Sequence, residues 1–462
     1  MIYILSDYHG WAGDDKMRAS DLMHERSIAL ADCNNFFVSC ERRADNSLDS
    51  RPVVVLSSND GCVISRSNEV KKMGVKMGDP YFKIRNMLAF NGVVVRSMNM
   101  SLYREISAEV MSRIRLYTDA AEIYSIDESF FNMAISNIKD PLSYCRTIRK
   151  DIWEKCRIPV SVGIAPTKTL CKMATEYAKK NEETGGVFWM DRSKYKDMSF
   201  MSQFECGDVW GIGRRISERL SKSGVRTAAD FIRKDELWLK KTFGITTLYT
   251  SWELKGHRVY ELEACRKPPK SIMVSRSFGS PITEYEDMLD PLLCFTVSAA
   301  RQLRKAGRTA GKMSIFISTS RFDREKYYAN GRETHFARPA SLDSEFMSCA
   351  ERMLKEIFIP GCKYKRCGVI LSDFSDISAG RQAALFDDDE EDERKLRVAS
   401  AVDSINREFR QGIIKPAALF DAPDHEKKWA PRSEFRSEGG CKKDSPLPDG
   451  LRFQNHSEDF AS

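Results

Sequence analysis

The sequence predicts an α+β protein of several domains, and three observations support this fold class. The chain has 462 residues, which exceeds one ordinary hydrophobic core and indicates two to four domains. Between residues 27 and 190, β-rich runs alternate with helical patterns, as in a mixed α/β layer. A helical stretch at 205–255 is followed by a second alternation at 271–375. We therefore expect two α/β units with a helical domain between them.

The first layer begins with SIALADC at 27–33, where Ile28, Leu30 and Asp32 alternate onto one face. Asp32 thus ends a strand on the face that its apolar neighbours use. Further strands are predicted at 51–57, 93–97, 122–133 (a strand or hairpin), 158–165 and 186–190, and helices over 100–117, 141–155 and 167–180.

The second unit contains predicted strands at 313–319 and 367–374. Beyond residue 376 the sequence is polar and charged, with few periodic apolar positions. This composition predicts a largely extended tail.

Composition limits the class of protein. The hydrophobic fraction is 42%, and no apolar run approaches the roughly 18 residues of a membrane span. Residues 1–26 lack the pattern of a secretory signal. The 13 cysteines form no CxxC pair and the 6 histidines are scattered, so we expect no zinc site and a reducing, cytoplasmic environment. The formal charge of +7 permits a nucleic-acid partner without requiring one.

Two adjacent carboxylates, Asp127 and Glu128, lie within YSIDESF at 124–130. A half-buried strand rarely carries such a pair, since buried carboxylates take up protons or require cations. With Asp32 they form an oxygen-only set that suits Mg²⁺ or Mn²⁺. Two such ions about 3.5–4 Å apart can activate an attacking oxygen and stabilise a leaving phosphate oxygen. This pattern predicts chemistry on a nucleotide, which a nucleotide cyclase could also perform.

Glycines and cations indicate a polyanion partner. Gly211 and Gly213 lie in GIG, between two predicted helical stretches, and Arg214 and Arg215 follow directly. Glycines let the backbone approach a phosphate, and amides at a helix start point toward it. Such a helix-hairpin-helix turn contacts the nucleic-acid backbone without reading its sequence.

Five segments resemble successive motifs of Y-family DNA polymerases, and within them the UmuC-like catalytic subunits of bacterial polymerase V. They are ADCNNFFVSCE (31–41), SSNDGCVISRSNEVKKMGVKMGDP (57–80), YSIDESF (124–130), VSVGIAPTKTLCKMA (160–174) and DVWGIGRRISERL (208–220). The resemblance implies a right-hand polymerase with a ferredoxin-like palm at 27–36 and 98–190, small fingers at 37–97, a helix-hairpin-helix thumb at 191–255 and an α/β little finger at 266–376. Residues 1–26 would be an N-terminal extension and 377–462 a tail with a clamp-binding motif.

The resemblance also implies a metal site with two Mg²⁺ ions, for which Mn²⁺ could substitute. Asp32 and Asp127 would bridge both ions. Glu128 would bind the ion that activates the primer 3′-hydroxyl, and the backbone carbonyl of Cys33 would complete the nucleotide-side site.

The deoxynucleoside triphosphate would be held by Lys71 from the fingers, Lys179 from the palm and the backbone amides of Asn35 and Phe36. Many relatives have arginine at the first of these positions, whereas lysine offers a point charge. Phe37, five positions after Asp32, would be the steric gate against a ribose 2′-hydroxyl. Phenylalanine keeps the bulk of the more usual tyrosine but lacks its hydroxyl.

QAALF at 382–386 resembles a sliding-clamp peptide, in which Gln382 would anchor the segment while Leu385 and Phe386 enter a groove. A second match, PAALF at 416–420, lacks the glutamine and carries little weight.

The function that the resemblance implies is error-prone translesion DNA synthesis in an SOS response. The expected partners are primer–template DNA, a sliding clamp, a UmuD-like dimer and the RecA filament, with no membrane. A nucleotide cyclase and a catalytically inactive DNA-binding scaffold are the alternatives. The cyclase leaves the hairpin turn, the second basic unit and QAALF unexplained, while the three retained carboxylates argue against the scaffold.

Overall fold

A computed structural model describes residues 27–133, 138, 140–264, 268–322, 327–376, 389–409, 413–419, 429 and 432–437. The chain divides into two compact units. The first comprises residues up to 55, 62–266 and 436 onward, and the second comprises 56–61 and 267–435. Among the described residues, no helix combines the length and apolar character that crossing a membrane requires. Every described cysteine is a free thiol.

The first unit is built on a five-stranded sheet with the strand order β5-β6-β1-β7-β8. Its central strand, β1, pairs antiparallel with β6 and β7, while β7 and β8 are parallel. The strands are β1 (Ile28–Cys33), β5 (Ala121–Ile123), β6 (Glu128–Asn132), β7 (Val160–Ala165) and β8 (Val187–Trp189). The predicted strands are confirmed, and residues 121–132 form the hairpin alternative.

Helices cover both faces of this sheet, and the sequence predicted all three with small errors at the ends. Ala29 and Ala31 of β1 pack in one core with α4 (Met100–Arg115) and α5 (Pro141–Cys156). Ile28 and Leu30 pack in the opposite core with α6 (Lys168–Lys180). Asp32 therefore shares its strand face with the residues that contact α6.

A smaller three-stranded sheet, with the order β3-β2-β4, follows β1 in the chain. Its elements are α1 (Phe36–Ala44), β2 (Val53–Leu56), β3 (Val63–Arg66), α2 (Asn68–Lys72), α3 (Tyr81–Phe90) and β4 (Val94–Ser97). β2 and β4 were predicted. β3 was not, because four residues that alternate between buried and half-buried give a weak periodic signal.

Short helices complete the first unit, and the four between 214 and 254 confirm the helical prediction for 205–255. They are α7 (Arg192–Lys196), α8 (Met198–Met201), α9 (Arg214–Lys222), α10 (Ala228–Ile232), α11 (Glu236–Phe243) and α12 (Ile245–Leu254). A capping box starts α10: the Thr227 side chain accepts from the Asp230 amide, and the Asp230 carboxylate accepts from the Thr227 amide.

The second unit contains a four-stranded antiparallel sheet with the order β11-β10-β12-β9. Two helices share its apolar core. The elements are β9 (Ser271–Ile282), α13 (Tyr285–Lys305), β10 (Arg308–Thr319), β11 (Ala329–Ala340), α14 (Asp343–Ile357) and β12 (Tyr364–Asp376). The second α/β unit is thus present, with β10 and β12 longer than predicted.

The prediction of a largely extended tail beyond 376 is wrong for the described residues. Residues Asp389–Glu408 form helix α15. Asp403 on this helix bonds to Arg304 of α13 at 2.8 Å, and the Arg304 side chain is only 6% exposed. Leu419 is buried in the core of the unit, and the indole of Trp429 packs against Phe295. These tertiary contacts order a sequence whose own apolar periodicity is weak.

The end of the described chain also contacts the short turn at 58–60, which belongs to the second unit. Asn59 Oδ1 accepts from the amide of Arg432 at 3.0 Å, and Asp60 Oδ2 accepts from the amide of Glu434 at 2.9 Å. Asn59 Nδ2 in turn donates to the carbonyl of Ser277 at 2.8 Å. Polar side chains therefore fix this turn within the second unit.

Candidate active site

The three predicted carboxylates lie at neighbouring strand ends. Asp32 is directly opposite Glu128 in the β1–β6 ladder, so both side chains point to the same face. The amide of Cys33 donates to the carbonyl of Asp127 at 2.9 Å, which places Asp127 beside the end of β1. The sheet register therefore brings all three acids to the same end of these two strands.

The turn before β6 explains why two acids can be adjacent in YSIDESF. Ser125 Oγ accepts from the amides of Asp127 and Glu128, at 3.2 and 3.0 Å, and donates to Asp127 Oδ1 at 2.6 Å. β6 begins only at Glu128. Asp127 therefore occupies a hydrogen-bonded turn, and the strand itself starts with a single carboxylate.

Burial and mutual repulsion disfavour the charged form of these acids. Asp32 is 9% exposed. Burial raises the pKa of Asp32 to about 7. The Lys179 ammonium lowers this pKa, while the negative charges of Asp127 and Glu128 raise it. Burial likewise raises the pKa of Asp127, and Glu128 adds to the shift. The fold thus holds Asp32 and Asp127 where their charged forms are disfavoured.

Helix α6 supplies a row of lysines to this sheet face. Lys179 Nζ lies 2.8 Å from Asp32 Oδ2, and Lys172 Nζ lies 2.6 Å from Glu128 Oε1. Lys168 Nζ makes a 2.6 Å ion pair with Glu122 of β5. The roles of Lys168 and Lys172 were not predicted from the sequence, although the spacing 168, 172, 179 places all three lysines on one helix face.

Gly163 of β7 allows α6 to lie this close to the sheet. An added Cβ there would come within 2.4 Å of the Thr175 amide nitrogen and 2.5 Å of the Cys171 carbonyl oxygen. Both are backbone atoms of α6, which cannot rotate away as a side chain can. The glycine thus sets the distance between α6 and β7, and with it the position from which Lys172 and Lys179 reach the carboxylates.

The chemistry of the donor set fits hard divalent cations. Carboxylate oxygens and a backbone carbonyl are the ligands that Mg²⁺ prefers. Burial raises the pKa of the Cys33 thiol far above its ordinary value, which disfavours the thiolate that metal binding by sulfur requires. Among the described residues, no three His, Cys, Asp or Glu side chains stand in a metal-holding arrangement. In this structure Asp32 and Glu128 pair with lysines, and Asp127 bonds to Ser125.

The predicted triphosphate ligands lie on elements around these acids. Asn35 is the left-handed residue before α1, with φ of 49°, and the first amides of a helix have no partner inside it. Lys71 lies at the end of α2 with an exposed side chain. Partial desolvation lowers the pKa of Lys71, and the nearby cations Arg66 and Lys179 lower it further. The two predicted lysines are therefore electrostatic neighbours, and Phe36 begins α1 beside Asn35.

Phe37 stacks on Tyr103, with ring centroids 4.7 Å apart and planes 19° apart. The Tyr103 hydroxyl donates to Glu41 Oε1 at 2.7 Å, and both residues are fully buried. Neither Tyr103 nor Glu41 was predicted as part of the site. The sequence offered one signal for Glu41, which lies one helical turn after Phe37 on the same side of α1.

The GIG turn lies in the helical part of the first unit. Gly211 has φ of 92°, and an added Cβ would come within 2.7 Å of Thr250 Oγ1, so this position requires glycine. Gly213, at the start of α9, has open space around it. Arg214 and Arg215 follow with exposed side chains. A single 3₁₀ turn, Cys206–Asp208, precedes GIG where a helical stretch was predicted.

The predicted clamp-binding residues Gln382, Leu385 and Phe386 lie outside the described residues, as do residues 1–26 and those after 437. Leu419 of the second PAALF match is buried in the second unit.

Two family models match the chain. The model of the impB/mucB/samB family matches residues 31–176, which include all three carboxylates. The model of the C-terminal domain of the same family matches residues 269–385.

Curated relatives match over most of their length. Protein UmuC of Salmonella typhimurium is 35% identical over 89% of this chain and 96% of the relative. Protein MucB of Escherichia coli is 33% identical over 87% of this chain and 98% of the relative. DNA polymerase IV of Staphylococcus aureus is 29% identical over 65% of this chain and 83% of the relative.

Solved structures share the fold. A chimeric Y-family DNA polymerase superimposes with a TM-score of 0.61 at 22% identity, covering 75% of this chain and 98% of that one. The post-insertion binary complex of Dbh DNA polymerase gives a TM-score of 0.52 at 21% identity with the same coverage. The family models, the length of the UmuC and MucB matches and the shared fold agree, and the chain therefore belongs to the impB/mucB/samB family, with the fold of Y-family DNA polymerases.

Proposed function

We propose that this chain is a DNA polymerase that extends a primer across damaged template by two-metal nucleotidyl transfer, with low fidelity, as part of an SOS response. The observation that carries the proposal is that Asp32, Asp127 and Glu128 lie beside one another at the same end of two paired strands. Burial, with Asp127 and Glu128, raises the pKa of Asp32, and divalent cations would offset the negative charge of the three acids.

Each acid receives one role in this proposal. Two Mg²⁺ ions, or Mn²⁺ in their place, would lower the pKa of the primer 3′-hydroxyl and offset charge on the leaving pyrophosphate. Asp32 and Asp127 would hold both ions, and Glu128 the ion on the primer side. The Cys33 carbonyl would serve the nucleotide side. Ser125 fixes the Asp127 carboxylate by a 2.6 Å hydrogen bond, which reduces the reorganisation that binding requires.

The incoming deoxynucleoside triphosphate would lie between α1, α2 and α6. Lys71 and Lys179 would offset its negative charge, and the amides of Asn35 and Phe36 would donate to its phosphate oxygens. The Phe37 ring would occupy the space that a ribose 2′-hydroxyl needs. Selection of the sugar would then be steric, since phenylalanine has no polar group with which to read a hydroxyl.

Primer–template DNA would be held through its phosphates. Gly211 and Gly213 would let the backbone amides at the start of α9 approach a phosphate, with Arg214 and Arg215 adding charge. Such contacts do not depend on base identity, which suits synthesis past a damaged base. The second unit would supply further duplex contacts as the little finger.

Protein partners follow from the family and from one motif. The similarity to UmuC supports a UmuD-like dimer and the RecA filament as partners in the cytoplasm. The segment with Gln382, Leu385 and Phe386 would bind a sliding clamp by placing two apolar side chains in a groove.

Primer extension on an abasic template with Mg²⁺ tests the proposal. The wild type, the double variant Asp127→Ala/Glu128→Ala and the control Glu154→Ala are compared, with a UmuD-like dimer and RecA filaments supplied. Glu154 is an exposed carboxylate on α5. We expect extension by the wild type and the control, and none by the double variant. Extension by the double variant would refute the assigned site, cyclic nucleotide product would indicate a cyclase, and no extension by the wild type would indicate a scaffold.

A further inference from the structure

A buried polar network lies behind the proposed gate. The Phe37 ring stacks on Tyr103, and the Tyr103 hydroxyl donates to the carboxylate of Glu41, which has no exposed surface. A phenylalanine side chain has no hydroxyl with which to anchor itself. Its position therefore depends on the ring that it packs against, and that ring is anchored by Glu41.

Ser437, far away in sequence, contacts the same network. Its Oγ accepts from Asn99 Nδ2 at 3.4 Å, and its hydroxyl is close enough to the Glu41 carboxyl to oppose the rise that burial causes in the pKa of that group. Asn99 is the N-cap residue of α4, where its Oδ1 accepts from the amide of Leu102. Since α4 carries Tyr103, Ser437 contacts both the start of the helix and the carboxylate that anchors the tyrosine.

The network has few spare donors. Glu41 Oε2 is buried without a hydrogen-bond partner among the described residues, and Arg96 Nε lies 3.9 Å from it. A buried carboxylate with incomplete hydrogen bonding is sensitive to the loss of each remaining donor. Removing the Ser437 hydroxyl should therefore shift Glu41 and, with it, Tyr103.

We propose that Ser437 is a positioning residue for the sugar gate, acting through Asn99, Glu41 and Tyr103 on the ring of Phe37. The C-terminal part of the chain thereby takes part in selecting deoxyribonucleotides over ribonucleotides. This inference rests on the proposed role of Phe37 as the gate.

The test measures kcat/KM for one ribonucleotide and for the matching deoxyribonucleotide on the same primer–template. The ratio of the two cancels differences in the amount of active protein. The variants are Ser437→Ala, Ser437→Thr, Tyr103→Phe, Phe37→Ala and the control Ser433→Ala, whose side chain is exposed in the same segment. Tyr103→Phe keeps the stacked ring and removes only the hydroxyl.

We expect Ser437→Ala and Tyr103→Phe to raise the relative use of the ribonucleotide about two- to tenfold, the range that one hydrogen bond supports. The change should come from a lower KM for the ribonucleotide. Ser437→Thr, which keeps the hydroxyl, and Ser433→Ala should match the wild type.

Two results would overturn the inference, and they differ in what else they refute. If Phe37→Ala raises ribonucleotide use while Ser437→Ala and Tyr103→Phe match Ser433→Ala, the gate stands and the positioning network is refuted. If Phe37→Ala leaves the ratio unchanged, Phe37 is not the gate, and the inference fails together with that part of the proposed function.

Discussion

Asp32 illustrates how single residues define this site. It lies at the end of a central strand, where apolar burial and two other carboxylates all disfavour its negative charge. The Lys179 ammonium, 2.8 Å away, offsets only part of this rise in the pKa of Asp32. An acid kept in such a place by its fold is typical of a site that a cation completes.

Single residues also mark what the sequence could predict. The three carboxylates could be identified because their chemistry is unusual in a strand-like pattern. The pairing of Tyr103 with Glu41 could not, since it joins residues 62 positions apart and neither residue stands out from its own helix. The partner of Lys172 was likewise hidden, because it depends on where α6 packs.

Lys179 provides a prediction at this scale. Lys179→Met should raise KM for the deoxynucleoside triphosphate about 10- to 100-fold, since a hydrogen bond to a charged group contributes roughly 1.5–3 kcal/mol. Steady-state primer extension measures the change. Lys180→Met is the matched control, because the Lys180 side chain is 68% exposed and its ion pair with Asp208 is long, at 3.9 Å. An unchanged KM in Lys179→Met would remove Lys179 from the triphosphate site.

At the scale of elements, the site depends on one close contact between α6 and the sheet. The alternation of strands and helices across 27–190 could be predicted from periodicity. The distance between α6 and β7 could not, because it is set by Gly163, and a glycine inside a strand has several possible causes. Only the structure shows that backbone atoms of α6 occupy the space of the missing Cβ.

Gly163→Ala should therefore destabilise the first unit by about 1–3 kcal/mol or more. The added methyl group can be accommodated only if α6 moves away from β7, which would also displace Lys172 and Lys179. Chemical unfolding measures the loss, and primer extension should fall with it. Gly61→Ala is the control, because an added Cβ there meets its nearest atom, Ser57 Oγ, at an ordinary 3.5 Å. Equal stability of the two variants would show that α6 does not depend on this contact.

At the scale of the whole molecule, the second unit is larger than its sheet and two long helices. Helix α15, Leu419 and Trp429 all pack on it. The sequence beyond 376 predicted an extended tail because the few residues that pack on the unit are scattered among many charged ones and form no apolar period. Asp403 looks like any surface acid until the structure pairs it with the buried Arg304.

Asp403→Ala should lower the free energy of unfolding of the second unit by about 2 kcal/mol. This is less than the roughly 3–5 kcal/mol for a fully unpaired buried charge, because Asp343 still contacts Arg304 at 2.8 Å. Denaturant unfolding measures the difference, and amide exchange in α15 should become faster. Glu408→Ala, at an exposed position of the same helix, should leave both unchanged. Equal stability of the two variants would show that α15 does not contribute to the stability of the second unit.

The most direct test of the shared metal site is anomalous scattering from crystals grown with Mn²⁺, primer–template DNA and a non-hydrolysable deoxynucleoside triphosphate. We predict two manganese peaks about 3.5–4 Å apart, in contact with carboxylate oxygens of Asp32, Asp127 and Glu128. Carboxylates that remain bonded to Lys172 and Lys179, with manganese bound elsewhere or absent while the nucleotide is in place, would contradict the account.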